Sequence, residues 1–371
     1  MNKFELKYKV LILILLISTG LYGQNKIGLA LPLMESSSNP EDKVIGSFML
    51  KGIRDAYEEF KKENSRNKIE IKLSDTERNL EEAYKIGVTY GKDKSTLAIL
   101  GPVFSNELSA LRTVSVDYKM PIISPSATGS FIASEYENLF QLNTPFNIRG
   151  RLMAKYATDE MKLNNIIVLS DNVYGRNFSI PFISELSENN ITLLDSVFYT
   201  GSEEIPQKLA YLSKYKFTDT KPSAIYVAIS NVNEIEPVLK SIKEHYPDIV
   251  VLGSSDWNNK DVLIQNKNNI NKLYYETDFY LDELTYDNYI KKGFTEPELK
   301  NYLLGYNSMN FLLTTTLTHN DRTKLTTYLN SRVDYSGIQN NINLRNRINT
   351  SLVILKFESG KIQKITDYIY E

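Results

Sequence analysis

The chain has 371 residues, of which 42% are hydrophobic and 24% charged, and its formal net charge is -2. These are ordinary values for a globular protein, and the near-neutral charge gives no electrostatic basis for binding nucleic acid or a membrane surface. Cysteine is absent, which excludes disulfides, thiol catalysis and a lipid-bearing cysteine at a signal-peptide cleavage site.

The amino terminus has the pattern of a secretory signal peptide. Lysines precede an apolar stretch over residues 10–17, and small and polar residues follow up to Gln24. This pattern predicts cleavage near Gly23 or Gln24. A membrane anchor is the alternative, but a span needs roughly 20 apolar residues. Residues 1–24 are therefore interpreted as a signal peptide, and we expect a periplasmic protein with no membrane insertion after cleavage.

The rest of the chain is longer than single hydrophobic cores usually become, which predicts two lobes. In its first part, apolar runs with strand character alternate with apolar residues at helical spacing. The predicted strands are 26–33, 69–73, 96–100 and 120–123, and the predicted helices are 45–60, 80–90 and 107–118. This alternation is typical of a doubly wound parallel sheet.

A second series of the same kind follows. Its predicted helices are 148–161, 176–188, 205–214 and 232–245, and its predicted strands are 165–170, 192–199, 224–228, 249–253 and 273–277. Longer helices are then predicted at 296–319 and 323–329. The chain ends in a predicted hairpin of strands 351–357 and 362–368, because Gly360 permits the positive φ that a tight turn requires.

Two loops that directly follow apolar strands are candidates for a ligand site. They lie at residues 101–105 and 124–128. In parallel α/β sheets, ligands bind beyond the carboxyl ends of strands, where backbone amides and short hydroxyls can be presented together. Ser105 and Thr128 have helix capping or turn formation as their alternative role.

Motifs for catalysis are missing from the sequence, including the nucleophile elbow, Walker, HExxH and EF-hand patterns. The two histidines, His245 and His319, have no partners at metal-ligand spacing. Composition leaves a glycosidase-type carboxylate pair open. Most acidic residues, such as Glu58 and Glu59, lie on predicted solvent-exposed helix faces. We therefore expect no enzymatic activity, no metal and no cofactor.

Short motifs occur in order along nearly the whole chain after the signal peptide. They are the segments at 27–33, 51–60, 75–76, 101–102, 121–128, 170–175, 253 and 304–307. Together they resemble the type I periplasmic binding proteins, specifically the branched-chain amino-acid (leucine/isoleucine/valine) binding group. The resemblance implies an α/β fold of two doubly wound parallel-sheet lobes joined by three crossovers. It places residues 25–144 and 280–345 in the N-terminal lobe, and residues 145–279 and 346–371 in the C-terminal lobe.

The resemblance also implies that the lobes close on a small polar ligand for uptake through an ABC permease. In that family, a hydroxyl and amides after the third and fourth strands hold the ligand carboxylate. The matching positions here are Ser105, Ser126, Ala127 and Thr128. Tyr174 matches the family's cleft tyrosine, whose ring covers the ligand, and packing over the strand end is its alternative role.

The positions that would hold an amino-acid ammonium depart from the family pattern. Asn231 stands where the family has a tyrosine, and Ser254, Ser255 and Asp256 follow a strand after which the family has a glutamate. Asp256 is the remaining candidate anion, with helix capping as its alternative role. The expected ligand is therefore a small polar molecule with a carboxylate or acceptor end, not necessarily an amino acid. Trp257 either lines the cleft or seals this turn.

A different function on the same fold stays open. Exported activators of cell-wall synthases and receptor sensor domains have similar lobes and act through protein contacts. The altered ammonium positions favour this alternative, whereas the loops at 101–105 and 124–128 favour a small-molecule site.

Overall fold

The computed structural model describes residues 25–371, and the predicted signal peptide lies outside the described residues. This part of the chain forms two sheets with helices packed on them. The strands are β1 (Lys26–Leu31), β2 (Glu70–Asp75), β3 (Thr96–Leu100), β4 (Ile122–Ser124), β5 (Leu139–Gln141), β6 (Ile166–Asp171), β7 (Leu193–Tyr199), β8 (Ala224–Ala228), β9 (Val250–Gly253), β10 (Lys272–Thr277), β11 (Val333–Ser336), β12 (Asn341–Arg345), β13 (Ile348–Asn349), β14 (Ser351–Glu358) and β15 (Lys361–Ile369).

The α-helices cover the faces of these sheets. They are α1 (Pro40–Glu63), α2 (Leu80–Lys92), α3 (Ser105–Ala110), α4 (Arg112–Asp117), α5 (Phe146–Lys155), α6 (Arg176–Glu188), α7 (Ile205–Leu212), α8 (Ile235–His245), α9 (Lys260–Gln265), α10 (Glu283–Lys291), α11 (Glu296–Thr316) and α12 (Arg322–Leu329). Each helix within residues 25–371 is too short or too polar to cross a membrane.

The first sheet has the strand order β11-β12-β13-β5-β4-β3-β1-β2, and the second has the order β15-β14-β10-β9-β8-β6-β7. The five strands from β1 to β5 are mutually parallel, as are the five from β6 to β10. Antiparallel strands extend both sheets, with β11 and β12 at one end of the first and β14 and β15 at one end of the second. The predicted α/β architecture of two doubly wound lobes is confirmed.

The chain passes between the two sheets three times, after β5, after β10 and after β13. The expectation of three crossovers is therefore met. The exact lobe boundaries stay a prediction. In the structure, β13 (Ile348–Asn349) pairs with β5 in the first sheet, although the resemblance places residues 346–371 in the C-terminal lobe.

Local sequence explains why α1 begins and packs as it does. The Asn39 side chain accepts a hydrogen bond from the Glu41 amide, and Pro40 occupies the first helical turn. Met49 and Ile53 recur at helical spacing and are fully buried in the core of the first sheet. The helix also packs along α11. Its apolar face therefore determines how it lies against the first sheet and α11.

Several boundaries differ from the predicted ones. The helix predicted at 107–118 is broken at Leu111 into α3 and α4, and the helix predicted at 148–161 ends at Lys155 and continues as a π-helical turn, Tyr156–Glu160. The sequence pattern does not predict strands β5 and β11 to β13 or helices α9 and α10. These strands have two to five residues each, too few for a clear alternation of apolar and polar side chains. The predicted terminal hairpin is confirmed, with Gly360 at φ 80.

Gly101 begins one of the two candidate ligand loops and needs a glycine for two reasons. Its φ is 111, a left-handed conformation that L side chains rarely adopt, and a Cβ here would collide with the carbonyl oxygen of Ala30 on β1. The loop can leave β3 close to β1 only because this position has no side chain.

We expect Gly101→Ala to destabilise the protein by roughly 3 kcal/mol or more, because it adds a collision with backbone to the conformational strain. Gly293→Ala is the matched control, since Gly293 has φ 91 but open space where a Cβ would lie. The control should cost about 1 to 2 kcal/mol from φ alone. Urea unfolding followed by circular dichroism measures both, and equal losses would contradict the close-approach argument.

Candidate functional site

Loops at the carboxyl ends of the first-sheet strands are tied together by Asp75. Its carboxylate accepts hydrogen bonds from the backbone amides of Leu33 (2.8 Å), Met34 (3.3 Å), Glu35 (3.0 Å) and Glu77 (2.9 Å). These amides belong to the loops that follow β1 and β2. One ionised side chain at the end of β2 therefore fixes two neighbouring loops at the edge of the sheet where a ligand is expected.

The two candidate ligand loops are bonded to each other. The Ser105 hydroxyl oxygen accepts hydrogen bonds from the amides of Thr128 (3.2 Å) and Gly129 (2.8 Å). Ser126 donates its hydroxyl to the carbonyl of Val103 at 2.9 Å. The amides and hydroxyls that were expected to face a ligand are thus partly paired within the protein, and the loops form one rigid unit.

Ala127 and Thr128 complete this unit in different ways. Ala127 is buried, and its amide donates to the Ser124 hydroxyl at 3.1 Å. The hydroxyl of Thr128 is half-buried and makes no hydrogen bond to another described residue. The structure therefore brings together Ser105, Ser126, Ala127 and Thr128, and within residues 25–371 the Thr128 hydroxyl is left with free hydrogen-bonding capacity.

Glu107 lies buried in the first turn of α3, directly behind these loops. Burial raises the pKa of its carboxyl, and this effect outweighs the opposing influence of Thr76, the Phe104 amide and Arg78.

Tyr174 lies on the loop after β6, across from the first sheet. The Asp171 carboxylate accepts the amides of Val173 (3.0 Å), Tyr174 (2.5 Å) and Gly175 (2.9 Å), which fixes this loop. The Tyr174 ring packs edge-on against Phe146, with ring centres 5.8 Å apart. Tyr174 therefore packs against the start of α5, and the residue as a whole stays partly exposed.

Phe146 connects the candidate groups of the two lobes. Its amide donates to the carbonyl of Thr128 at 2.9 Å, and its ring contacts Tyr174 and Phe178. Because Phe146 is the first residue of α5, one helix terminus on the first crossover holds both the Thr128 loop and the Tyr174 ring. Sequence analysis did not identify this residue.

A buried charge network that sequence analysis also missed lies on the crossovers. Arg149 is 2% exposed and pairs with Glu276 and Asp278, with nitrogen to oxygen distances of 3.0 Å in both cases. Asp278 is also bonded to Lys300 of α11 (2.9 Å) and to the Asn143 side chain (2.8 Å). The arginine sits in an amphipathic helix with no motif around it, so only tertiary structure reveals its partners.

The ionisation of these groups follows from burial and pairing. Burial alone would raise the pKa of Asp278, but Lys300, Arg149 and the Asn143 side chain lower it far below its usual range. Burial raises the pKa of Glu276 to about 7, although Arg149 acts in the opposite direction. Asp278 is therefore the permanent anion of the network.

Asp256 and Ser255 lie beside this network. The Ser255 amide donates to Glu276 at 3.2 Å, and the Asp256 carboxylate accepts from the Ser254 hydroxyl at 3.1 Å. Burial raises the pKa of Asp256 to about 6, while the Ser254 hydroxyl, Arg149 and Lys300 lower it less strongly. Burial is the main cause that raises the pKa of Tyr174, and the charge of Asp256 raises it further.

Asn231 and Trp257 lie apart from this cluster. Asn231 is exposed, and it caps a short helical turn by accepting the Asn233 amide at 2.9 Å and donating to Glu234 at 3.2 Å. Trp257 is fully buried in the core of the second lobe, where its indole donates to the Val227 carbonyl at 3.0 Å. Of the two interpretations left open for Trp257, the structure supports sealing the turn.

The match to known proteins agrees with this geometry. Residues 50–347 match the family model described as the receptor family ligand binding region. The chain belongs to this family. No curated protein sequence matches the chain.

Solved structures of ligand-binding-region proteins show the same fold. The chain superimposes on the leucine binding protein LivK from Thermotoga maritima with a TM-score of 0.61 and 19% identity, covering 93% of this chain and 99% of that one. For a putative branched-chain amino acid ABC transporter protein from Rhodospirillum rubrum, the TM-score is 0.78, the identity 16% and the coverage 92% and 100%. These likenesses establish the type I periplasmic binding protein fold.

A third similar structure is LpoA from Haemophilus influenzae. Its TM-score is 0.68 and its identity 15%, and the match covers 92% of this chain but only 59% of that one. The ligand-binding-region fold thus occurs here as most of one chain and elsewhere as part of a longer chain.

We expect Arg149→Met to destabilise the protein by about 3 to 5 kcal/mol, because it leaves the Glu276 and Asp278 carboxylates buried without their shared cation. The matched control is Arg332→Met, since the Arg332 and Glu371 ion pair is more than half exposed and exposed pairs contribute little. Urea unfolding midpoints measure the difference. Similar midpoints for the two variants would show that the buried network is not important for stability.

The pKa of Asp256 predicts a specific dependence of stability on pH. Between the unfolded value of about 3.9 and the folded value of about 6, the folded protein keeps a proton that the unfolded chain releases. The contribution of this group to stability therefore falls as pH rises through that interval. Asp256→Asn should flatten this part of the curve of unfolding free energy against pH, whereas Asp248→Asn, at an exposed site, should leave its shape unchanged. An unaltered curve in Asp256→Asn would refute the raised pKa.

Proposed function

We propose that this protein is an exported solute-binding protein whose two lobes close on a small polar ligand and deliver it to an ABC permease. The family match and the two-lobed fold support this function. The structures of LivK and the Rhodospirillum rubrum protein are covered almost completely by this chain. Lobe closure is a common motion in such folds, because only the closed form lets both lobes contact the ligand.

The observation that carries the proposal is the link through Phe146 between the Thr128 loop and Tyr174. It supports a site in which Ser105, Ser126, Ala127 and Thr128 hold the acceptor or carboxylate end of the ligand. The Thr128 hydroxyl is the group with unused hydrogen-bonding capacity, and the Tyr174 ring covers the ligand from the second lobe.

Asp256 is proposed to face the opposite end of the ligand, with Ser255 and Asn231 as the further positions predicted from sequence. The hydrogen bond from the Ser255 amide to Glu276 supports this role, because it places the turn that carries Asp256 beside the buried Arg149 network. A carboxylate at this position suits a ligand with a cationic or donor end. Amino acids belong to that class, and leucine is the ligand named for LivK.

Export through the signal peptide at residues 1–24 and a periplasmic location complete the proposal. The function is binding rather than catalysis, and it needs no cofactor. Among the described residues, histidine, aspartate and glutamate form no cluster suited to a metal ion.

The likeness to LpoA favours one second candidate. In this alternative, the protein has the same fold but acts through protein contacts, as a cell-wall synthase activator or a sensor domain. The two functions differ in whether a small molecule causes closure.

Calorimetry with leucine, isoleucine and valine tests the transport function. Two analogues separate the contributions of the two ends of the ligand. 4-Methylpentanoate is leucine without its amino group, and leucinamide has an amide in place of the carboxylate. Thr128→Ala should weaken binding by about 0.5–1.5 kcal/mol for a neutral partner and up to roughly 3 kcal/mol for a carboxylate. Tyr174→Ala should cost at least as much through lost ring contact.

Thr323→Ala, at an exposed position of α12, is the control and should leave affinity unchanged. X-ray scattering of the bound protein should show compaction. If a broad screen of small polar metabolites gives neither compaction nor thermal stabilisation, the results favour the second candidate, in which the protein acts through protein contacts, over the transport function. Leucine binding that disappears in Asp256→Asn would show that the ammonium site has moved to Asp256.

A further inference from the structure

Two adjoining cavities lie beside the crossovers, on the side of the second sheet where β14 and β15 form its edge. The larger has a volume of about 440 Å³ and the smaller about 330 Å³, and Tyr280 and Leu281 line both. Neither is lined by Thr128, Tyr174 or Asp256. They are therefore separate from the proposed ligand site.

The larger cavity has an apolar and aromatic wall. Phe279, Tyr280 and Tyr286 contribute rings, and Leu355 and Ile362 contribute aliphatic side chains. Its volume lies in the range of small-molecule sites, which are mostly apolar with a few placed polar groups.

The charged groups of the larger cavity balance. Lys260 and Lys361 line it together with Glu283 and Glu296. Two cations and two anions give the larger cavity no preference for either sign of charge, so its wall suits the uncharged body of a molecule. The smaller cavity adds Asp282 and the ion pair of Lys364 and Asp367, whose nitrogen to oxygen distance is 2.8 Å.

The smaller cavity is lined by Gln339, whose side-chain amide is buried and unpaired. Gln339 is 2% exposed, and neither its Oε1 nor its Nε2 has a hydrogen-bond partner among residues 25–371. Its backbone carbonyl accepts the Tyr280 amide at 3.3 Å, which holds it next to the wall that the cavities share. Because an unpaired buried amide destabilises a fold, this side chain calls for a partner with both a donor and an acceptor.

Residues from both sheets form these walls. Ile362 and Lys364 belong to β15 of the second sheet, whereas Gln339 lies between β11 and β12 of the first. Tyr280 and Leu281 lie on the crossover between them. This step rests on the proposed lobe closure: if the lobes close, a molecule that contacts both sheets can favour one form over the other.

We propose that the adjoining cavities form a second binding site for an uncharged small molecule with a flat apolar body and a carboxamide-like end. The body occupies the aromatic cavity, and the amide end pairs with both polar atoms of Gln339. This site is additional to the proposed transport ligand, and its occupancy modulates closure.

The probe for this site is 4-phenylbutanamide, which has a phenyl body and a primary amide. Its binding at millimolar concentration is followed by ligand-observed NMR, with 4-phenylbutanenitrile as the comparison compound, because a nitrile accepts a hydrogen bond but cannot donate one. We expect the amide to bind at least tenfold more tightly than the nitrile. Gln339→Leu should remove this difference, since a site built around an amide rejects ligands that leave it unpaired.

Gln207→Leu, the same substitution at an exposed position of α7, should leave binding of the probe unchanged. Gln339→Leu breaks no hydrogen bond to a described residue, so its thermal unfolding midpoint should not fall. Leu281→Trp, which enlarges the shared wall, should abolish binding of both compounds. It provides a second variant if Gln339→Leu does not fold.

The proposal is overturned if the wild-type protein does not bind the probe, if binding is unchanged in Gln339→Leu, or if the loss is equal in Gln207→Leu. Thr128→Ala separates this site from the transport site. If Thr128→Ala rather than Gln339→Leu removes the probe, the probe occupies the cleft and the second site is refuted. If Gln339→Leu alone removes it, the second site stands even where no transport ligand is found.

Discussion

The pairing of Arg149 with Glu276 and Asp278 is the interaction on which the arrangement of the two lobes depends. The arginine lies in α5, directly after the first crossover, Glu276 lies at the end of β10, and Asp278 begins the second crossover. Its Nε also donates to the Thr144 carbonyl of the first crossover at 2.9 Å. The Thr144 hydroxyl donates to the carbonyl of Ser351, the residue that follows the third crossover and begins β14, at 2.9 Å. All three connections between the lobes are thus bonded into one unit.

Burial strengthens the ion pairs of this unit, but it also requires that each buried charge has a well-placed partner. Arg149 is 2% exposed, so its guanidinium has lost its hydration. Only hydrogen bonds and ion pairs of good geometry compensate for that lost hydration free energy. Asn143 and Lys300 provide additional hydrogen bonds to the same groups. The segments that meet at the three crossovers are therefore held in register.

The network also shapes the proposed ligand site. Glu276 accepts the Ser255 amide, which positions the turn that carries Asp256. Phe146, three residues before Arg149, holds the Thr128 loop and the Tyr174 ring. The residues that hold the lobes together are thus neighbours of those proposed to bind the ligand, so binding and hinge geometry are linked through direct contacts.

The sequence by itself determined the alternation of strands and helices, and from it the two parallel sheets, because buried strands and amphipathic helices have distinct periodicities that need no tertiary information. It also located the loops at 101–105 and 124–128, since these directly follow strands β3 and β4. Tertiary structure decided the pairing of Arg149, the bridging role of Phe146 and the position of Gln339 between the two sheets. Those contacts join segments more than a hundred residues apart, or depend on the packing of crossovers, and no local pattern of residues records them.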